Sequence, residues 1–252
     1  MPHVTVRAPG HDRSRSLGWL AVAWMEYFVV HGPGDVQGEP VRHGDEHTGF
    51  VVDCYAVDDD EGKLLYDSAF FSRPKGCDKS GLGARIGLFE ALGPARFAGW
   101  AEGGEIYRDP WGLGFEYVYE PGEPMGRPVK VPYLRIMATE EGQTGNVYDT
   151  IYFNLTDESS PLSSIPGIDP GLTEINLPLG GSPSVSGSRG LNKGGGVCEA
   201  WEIASGAGIG GVFGRPHLLK VQVGGLSAQR SRNGCMHQPQ RPKGWPSRVL
   251  VA

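Results

Sequence analysis

Cysteine is scarce in this sequence, and the little there is stands apart. The 252 residues hold four, Cys54, Cys77, Cys198 and Cys235, with no C-x-x-C and no histidines at paired ligand spacing. That excludes a structural zinc site and the disulfide framework of a small secreted domain, and it points to a reducing, cytosolic compartment. Long hydrophobic runs are missing too. The first apolar stretch, Leu17 to Val30, contains Glu26 and is too short to span a bilayer, so no membrane segment is expected. Aspartate disappears after Gly181, where the acidic residues are Glu199 and Glu202 alone.

Glycine and proline are plentiful instead, with 40 and 20 residues, high for a compact enzyme of this length. The 39% of apolar residues still suffices for a core, and the length fits one domain or one and a half. Charge divides the chain. Residues 1–181 carry 14 Lys+Arg against 27 Asp+Glu, whereas residues 182–252 carry 9 against 2. An acidic body argues against a broad nucleic-acid footprint there. The basic tail reads as a solvated, disordered segment, with phosphate contact as the alternative.

Leu17, Leu20, Trp24 and Phe28 recur at helical spacing, so residues 16–30 read as an amphipathic helix with Ser16 as N-cap. His31 to Thr48 reads as a polar loop. Phe50 to Val57 reads as a strand, Asp58 to Gly62 as a turn and Leu64 to Ser72 as a second strand. Arg73-Pro74-Lys75-Gly76-Cys77-Asp78-Lys79-Ser80 follows, and then the pattern turns helical, with Leu82, Ile86, Phe89 and Leu92 on one face. Phe97 to Glu102 reads as a strand, residues 103–130 as a hairpin or irregular insertion, and Val131 to Ala138 as a buried strand. A helix opens near Thr139, with Val147, Ile151 and Leu155 along one side. Alternating strands and helices imply an α/β layered sheet. Beyond Gly181 only His217 to Val223 suggests regular structure in an otherwise low-complexity tail.

Strand, short glycine-containing loop ending in Lys-Ser, then helix is the context of a phosphate-binding loop. Backbone N–H groups and a helix N-terminus face the phosphates, a lysine reaches the β/γ oxygens and a hydroxyl binds Mg²⁺. In that reading Lys79 is the phosphate lysine, Ser80 the Mg²⁺ ligand, Gly76 the tight turn and Arg73 a second positive charge. Asp78 departs from the usual glycine, repels a triphosphate and strains the backbone. On pattern alone, a polar turn between strand and helix fits these residues as well.

Several blocks in order carry a more specific signal. Residues 72–82 (Ser-Arg-Pro-Lys-Gly-Cys-Asp-Lys-Ser-Gly-Leu) resemble the modified Walker A region of the large terminase subunits of actinobacterial phages. The segments 31–42, 49–56, 97–101, 138–151 and 167–173 resemble the same family, over about residues 16–181. The resemblance implies an incomplete P-loop NTPase-type (ASCE-like) sheet. It implies ATP and Mg²⁺ held by Arg73, Gly76, Cys77, Asp78, Lys79 and Ser80, with Asp78 a lineage variant. It puts Gln37, Asp45 or Glu46 near the adenine and Gln143 at a motor-core glutamine. A solvated loop and a polar helix start remain the alternatives for those positions. Viral DNA, a small terminase subunit and a portal are the implied partners, in the host cytoplasm and away from any membrane.

Such a motor also needs an Asp-Glu pair after an apolar strand and a nuclease with clustered carboxylates. Glu199 and Glu202 flank Ala200-Trp201, follow no apolar run, and cannot stand in for both. The expectation is therefore an ATP-binding terminase fragment over 1–181, lacking Walker B and nuclease parts. Little or no turnover is expected, and the tail 182–252 is expected not to be a native domain, as in a truncated prophage product. A non-catalytic interaction or DNA-binding remnant, or a product without function, is the alternative.

Overall fold

The computed structural model describes residues 5–58, 62–66, 68–73, 76–130, 132–138, 141–172, 174–178, 184–189, 220–224 and 249–251. The first helix, α1 (Gly18–Phe28), is shorter at both ends than the spacing predicted. Leu17, not Ser16, holds the cap position. The Ser16 hydroxyl still accepts from the Gly18 N–H at 2.9 Å while donating to the Val52 carbonyl at 2.6 Å. Ser16 thus ties the start of α1 to a second helix, α2 (Asp45–Cys54). A Cβ on Gly18 would lie 2.4 Å from Val52 Cα, so the two helices meet there only because the side chain is missing.

Helix α2 corrects two expectations, the strand at 50–57 and the polar loop running to Thr48. Phe50, Val51, Val52, Asp53 and Cys54 are all buried, so the helix end shows no polar face and its apolar run mimics a strand. Gly44 at the cap and Asp45 and Glu46 in the first turn favour the positive end of the helix dipole, and tertiary burial overrides the β-branched valines.

The rest alternates between short strands and two long helices. Strand β1 (Ser68–Ser72) leads through the loop to α3 (Lys79–Leu92). An isolated bridge, Val57 to Leu64, replaces the front of the expected second strand. Next come β2 (Arg96–Trp100), β3 (Ile106–Arg108), β4 (Glu116–Val118), β5 (Pro124–Arg127), β6 (Tyr133–Ala138) and α4 (Glu141–Thr156). A 3-10 turn (Pro161–Ser164), β7 (Asp169–Pro170) and β8 (Glu174–Asn176) complete the body. From the tail come β9 (Ser184–Arg189), β10 (Lys220–Gly224) and β11 (Val249–Val251). The regular structure suggested at 217–223, of unspecified type, overlaps β10, while β9 and β11 fall where the low-complexity sequence suggested none. The expected cap at Thr139 lies outside the described residues.

Among the described residues the strands form four small sheets. The order β10-β1-β11 is parallel throughout; β2-β5 and β3-β4 are antiparallel pairs; in β6-β9-β8-β7 only β6 and β9 run parallel. The fold is therefore mixed helix and small sheets. Strands β1 and β6, expected in one layered sheet, lie in different ones, because β10 and β11 occupy both edges of β1. The insertion 103–130 does form a hairpin. Its loop is held by Asp109, whose carboxylate accepts the N–H groups of Trp111, Leu113, Gly114 and Phe115 at 2.9–3.1 Å.

Helix α3 is the centre of the core. Trp24 and Tyr55 meet Phe89 edge-on, with ring centroids 5.6 and 5.4 Å away, and Phe28 stacks on Trp24 at 4.9 Å. Its glycines lower helix propensity by roughly 1 kcal/mol each relative to alanine, yet one of them allows a close approach. A Cβ on Gly87 would come 3.2 Å from Ile151 of α4 and 3.6 Å from Leu134 of β6. Residues Leu82 to Leu92 are buried on every side, beyond the single expected face. Among the described residues no helix is long and apolar enough to cross a membrane.

Candidate functional site

Only two residues of α3, Ser80 and Gly81, are not buried, and both border a cleft of about 260 Å³. One wall is the segment from Val30 to Val36, another the α4 residues Asn146 and Thr150, and the floor carries Asp78 and Arg85. The cleft thus lies where β1, after its loop, turns into α3.

The loop takes its shape from two left-handed residues. Gly76 has φ of 88°, which its missing side chain permits. Asp78 has φ of 47° and ψ of 35° at the cap of α3, and it is the sole non-glycine residue with positive φ among those described. Its main-chain carbonyl accepts from Leu82 N–H at 3.0 Å, but its carboxylate makes no capping hydrogen bond. That carboxylate instead runs along the helix to Arg85, two turns on, at 2.8 Å from Nη1. It passes over Gly81, where a Cβ would stand 2.1 Å from Oδ1.

Arg85 is the unexpected member of the site. Its side chain is 3% exposed and its Nε has no hydrogen-bond acceptor. Burial pulls its pKa down, opposed by the charge and hydrogen bond of Asp78. Behind it stand two histidines. His43, with a fully buried side chain, approaches Glu26 through Nδ1 at 3.3 Å, while its Nε2 lacks a partner. Burial, followed by the Arg85 charge, pushes its pKa down to about 4 against the pull of Glu26. His47, on α2, is lowered by the same two causes. Nothing in the strand-like reading of α2 could have brought these groups together; the spacing of Asp78, Gly81 and Arg85 on one helical stripe was the available signal.

The expected site residues are partly assembled. Asp78 and Ser80 line the cleft, while Gly76 is exposed and Cys77, a free thiol, half-buried in the loop before it. Lys79 starts α3, one residue earlier than expected, but it is buried and is not among the residues lining the cleft. Arg73 forms an ion pair with Glu46 and stacks on Phe71 at 4.8 Å, so two residues assigned to phosphate and base bind each other. Gln37 is exposed on the turn after the cleft wall, with its N–H bonded to Gly34 O at 3.2 Å, and Asp45 is exposed at the start of α2. Gln143 lies in the first turn of α4. Pro74 and Lys75 fall outside the described residues. No group of three or more His, Cys, Asp or Glu able to hold a metal occurs among the described residues.

The wall of the cleft is fixed from α4. Asn154, fully buried, accepts from Val30 N–H at 2.8 Å and donates from Nδ2 to the Val30 carbonyl at 3.0 Å, standing in for a neighbouring strand. Asn154→Ala leaves both backbone groups buried and unpaired, and is expected to cost about 2–3 kcal/mol. Urea denaturation measures the loss, and fast amide exchange at Val30 should accompany it; a change under about 0.5 kcal/mol would show the wall to be held otherwise.

No family model matches the chain, and no curated protein matches it. Among solved structures the chain is similar to one described as the crystal structure of the HK97 bacteriophage large terminase. Identity is 19% and the TM-score 0.44, over 71% of this chain and 29% of that one. The chain therefore spans less than a third of the length of that structure.

A second polar cluster is built on the C-terminal end of α2. Asp53, 1% exposed, accepts from Arg7 at 2.7 and 2.9 Å, from Arg13 at 2.6 and 3.0 Å, and pairs with His11 at 2.9 Å. Tyr66 bonds the other nitrogen of His11 at 3.0 Å. Burial works against the Asp53 charge, but the hydrogen bonds from Arg13 and Arg7 outweigh it and lower its pKa. This cluster fastens the N-terminal segment to α2 and leaves no acceptor free for chemistry.

Proposed function

We propose that the chain binds a nucleoside triphosphate with Mg²⁺ at the head of α3, as the ATP-binding portion of a phage DNA-packaging terminase large subunit. The observation that carries this reading is the succession of β1, a loop with left-handed Gly76 and Asp78, and a 14-residue helix opening onto a cleft. First-turn amides and the helix dipole favour an anion at that point, and Ser80 supplies a hydroxyl suited to Mg²⁺. At about 260 Å³ the cleft is just below the range of ligand pockets, about 300–1,000 Å³, and suits the phosphate end with the base toward His31 to Val36. The ordered blocks resembling terminases between residues 16 and 181 support the same reading. Lys79 reaches the phosphates only by turning out of its buried position, so binding is weak.

Hydrolysis is a separate matter. The carboxylates after Gly181 are Glu199 and Glu202, too few for a water-activating pair and a two-metal nuclease, so steady turnover by this chain is not expected.

Thermal unfolding with Mg-ATP is the test. Ligand at 100 times its Kd stabilises the native state by about 2.7 kcal/mol, so a rise in Tm that saturates with nucleotide is expected. Lys79→Ala and Ser80→Ala should each remove it. No rise at millimolar nucleotide, or a rise untouched by both substitutions, overturns the reading.

A further inference from the structure

We propose that Arg85 is the anion receptor of the cleft and that the Asp78 carboxylate is its resident occupant, an internal stand-in that an incoming phosphate group must displace. This deepens the nucleotide reading and rests on it for the identity of the natural anion. The contact makes the site self-blocking.

The case begins with a charge in the wrong place. A guanidinium on a side chain only 3% exposed, in a helix whose residues Leu82, Ala84, Ile86 and Leu88 are also buried, costs several kcal/mol unless something compensates it. Among the described residues one carboxylate lies against it, that of Asp78, with Oδ2 at 2.8 Å from Nη1, while Nε stays without an acceptor. Arginine offers five donors in a planar fork, and one tethered carboxylate leaves that capacity largely unused. A free tetrahedral anion is not held by a short side chain. It brings more oxygens to the same group, and the first-turn amides and dipole of α3 add to its binding.

Asp78 in turn is built to sit there and to leave. Its side chain is 46% exposed although its partner is buried, so it closes the mouth of the cleft rather than filling a core site. The left-handed backbone at Asp78 and the bare Cα of Gly81 bring the carboxylate onto the helix face; any side chain at position 81 would occupy its path. Removing the carboxylate leaves the cation facing the cleft.

A latch closed about nine-tenths of the time weakens apparent binding about tenfold, because only the open fraction is competent. Asp78→Asn is therefore expected to bind inorganic pyrophosphate about tenfold more tightly than the wild type, measured by calorimetry on the full chain. Asparagine also tolerates the left-handed conformation, so backbone strain does not confuse the comparison. Gly81→Ala keeps Asp78 but drives its carboxylate aside, and should show the same gain. The gain should persist in moderate salt, since Arg85 is buried. Equal pyrophosphate binding by wild type and both variants, or none by either variant, overturns the latch. If Mg-ATP stabilises the wild type through Lys79 while the variants gain nothing, the nucleotide reading stands and the latch falls. If the variants gain pyrophosphate while Mg-ATP stabilises no form of the protein, the receptor stands and the nucleotide reading falls.

Discussion

Replacing Glu90 by alanine should cost about 3–5 kcal/mol of unfolding free energy, a large part of the roughly 5–15 kcal/mol that a domain typically has. Glu90 sits in the last turn of α3 with no exposed surface. The Tyr55 hydroxyl, itself buried, donates to Oε1 at 2.8 Å, and Arg96 at the start of β2 brings Nη2 within 2.8 Å of Oε2. Burial raises the Tyr55 pKa well above that of a free phenol, and the Glu90 charge raises it further, so the hydroxyl is a committed donor. A carboxylate near a helix C-terminus faces the negative end of the dipole, so Arg96 is what makes the charge tolerable there. Without Glu90, Arg96 loses an ion pair at 2.8 Å and the buried Tyr55 hydroxyl loses its acceptor. Glu90→Gln keeps the shape and an acceptor for Tyr55 but not the charge, and should fall between. Urea denaturation followed by circular dichroism gives the values. A loss below about 1 kcal/mol for Glu90→Ala would mean that Arg96 finds water and the pair holds little together.

How much of this was legible in the sequence depends on the range of the interaction. Helix α4, with Val147, Ile151 and Leu155 buried on one side, followed from spacing alone, and so did strand β6 with Leu134 and Ile136 inward. The start of α3 was readable from the switch in period after Ser80. Helix α2 was not, because Phe50 to Cys54 are buried all round and leave no polar face to set a period; the acidic pair Asp45 and Glu46 after Gly44 was the one local sign. Pairing between strands was not legible at all. The registers that join Ser68 to Lys220 and Tyr133 to Ser184 link segments separated by more than fifty residues of chain, with nothing local to specify them.

The site divides along the same line. Asp78 and Ser80 belong to the loop pattern and do border the cleft. Arg85, His43 and Asn154 do not belong to any motif. An arginine inside an apolar helix reads as a snorkelling surface residue until the fold covers it. Arg73 and Glu46, each assigned to a ligand from the sequence, pair with each other where α2 lies beside β1.

Mild acid should destabilise the protein through the same buried cluster. His43 is held neutral, with a pKa of about 4 in the native state against about 6.5 when unfolded. Between those values the unfolded chain binds a proton that the native state refuses, so stability falls as pH falls. The full stability is present above about pH 6.5 and is lost progressively toward pH 4, by on the order of 3 kcal/mol from this residue. His47 is shifted in the same direction, and Asp53, lowered by its arginines, adds a further loss at still lower pH as it too becomes protonated. The charges that His43 meets explain the sign: Arg85 and His47 oppose its protonation and Glu26 favours it, but burial decides. His43→Phe fills a similar volume and cannot titrate. Its stability, measured by urea unfolding at intervals from pH 7 to pH 4, should decline much less steeply than that of the wild type. Two parallel curves would place the acid sensitivity elsewhere and free His43 from its assigned part. A steeper wild-type curve would mean that the cluster behind the cleft tolerates one positive charge, that of Arg85 with Asp78 upon it, and not a second.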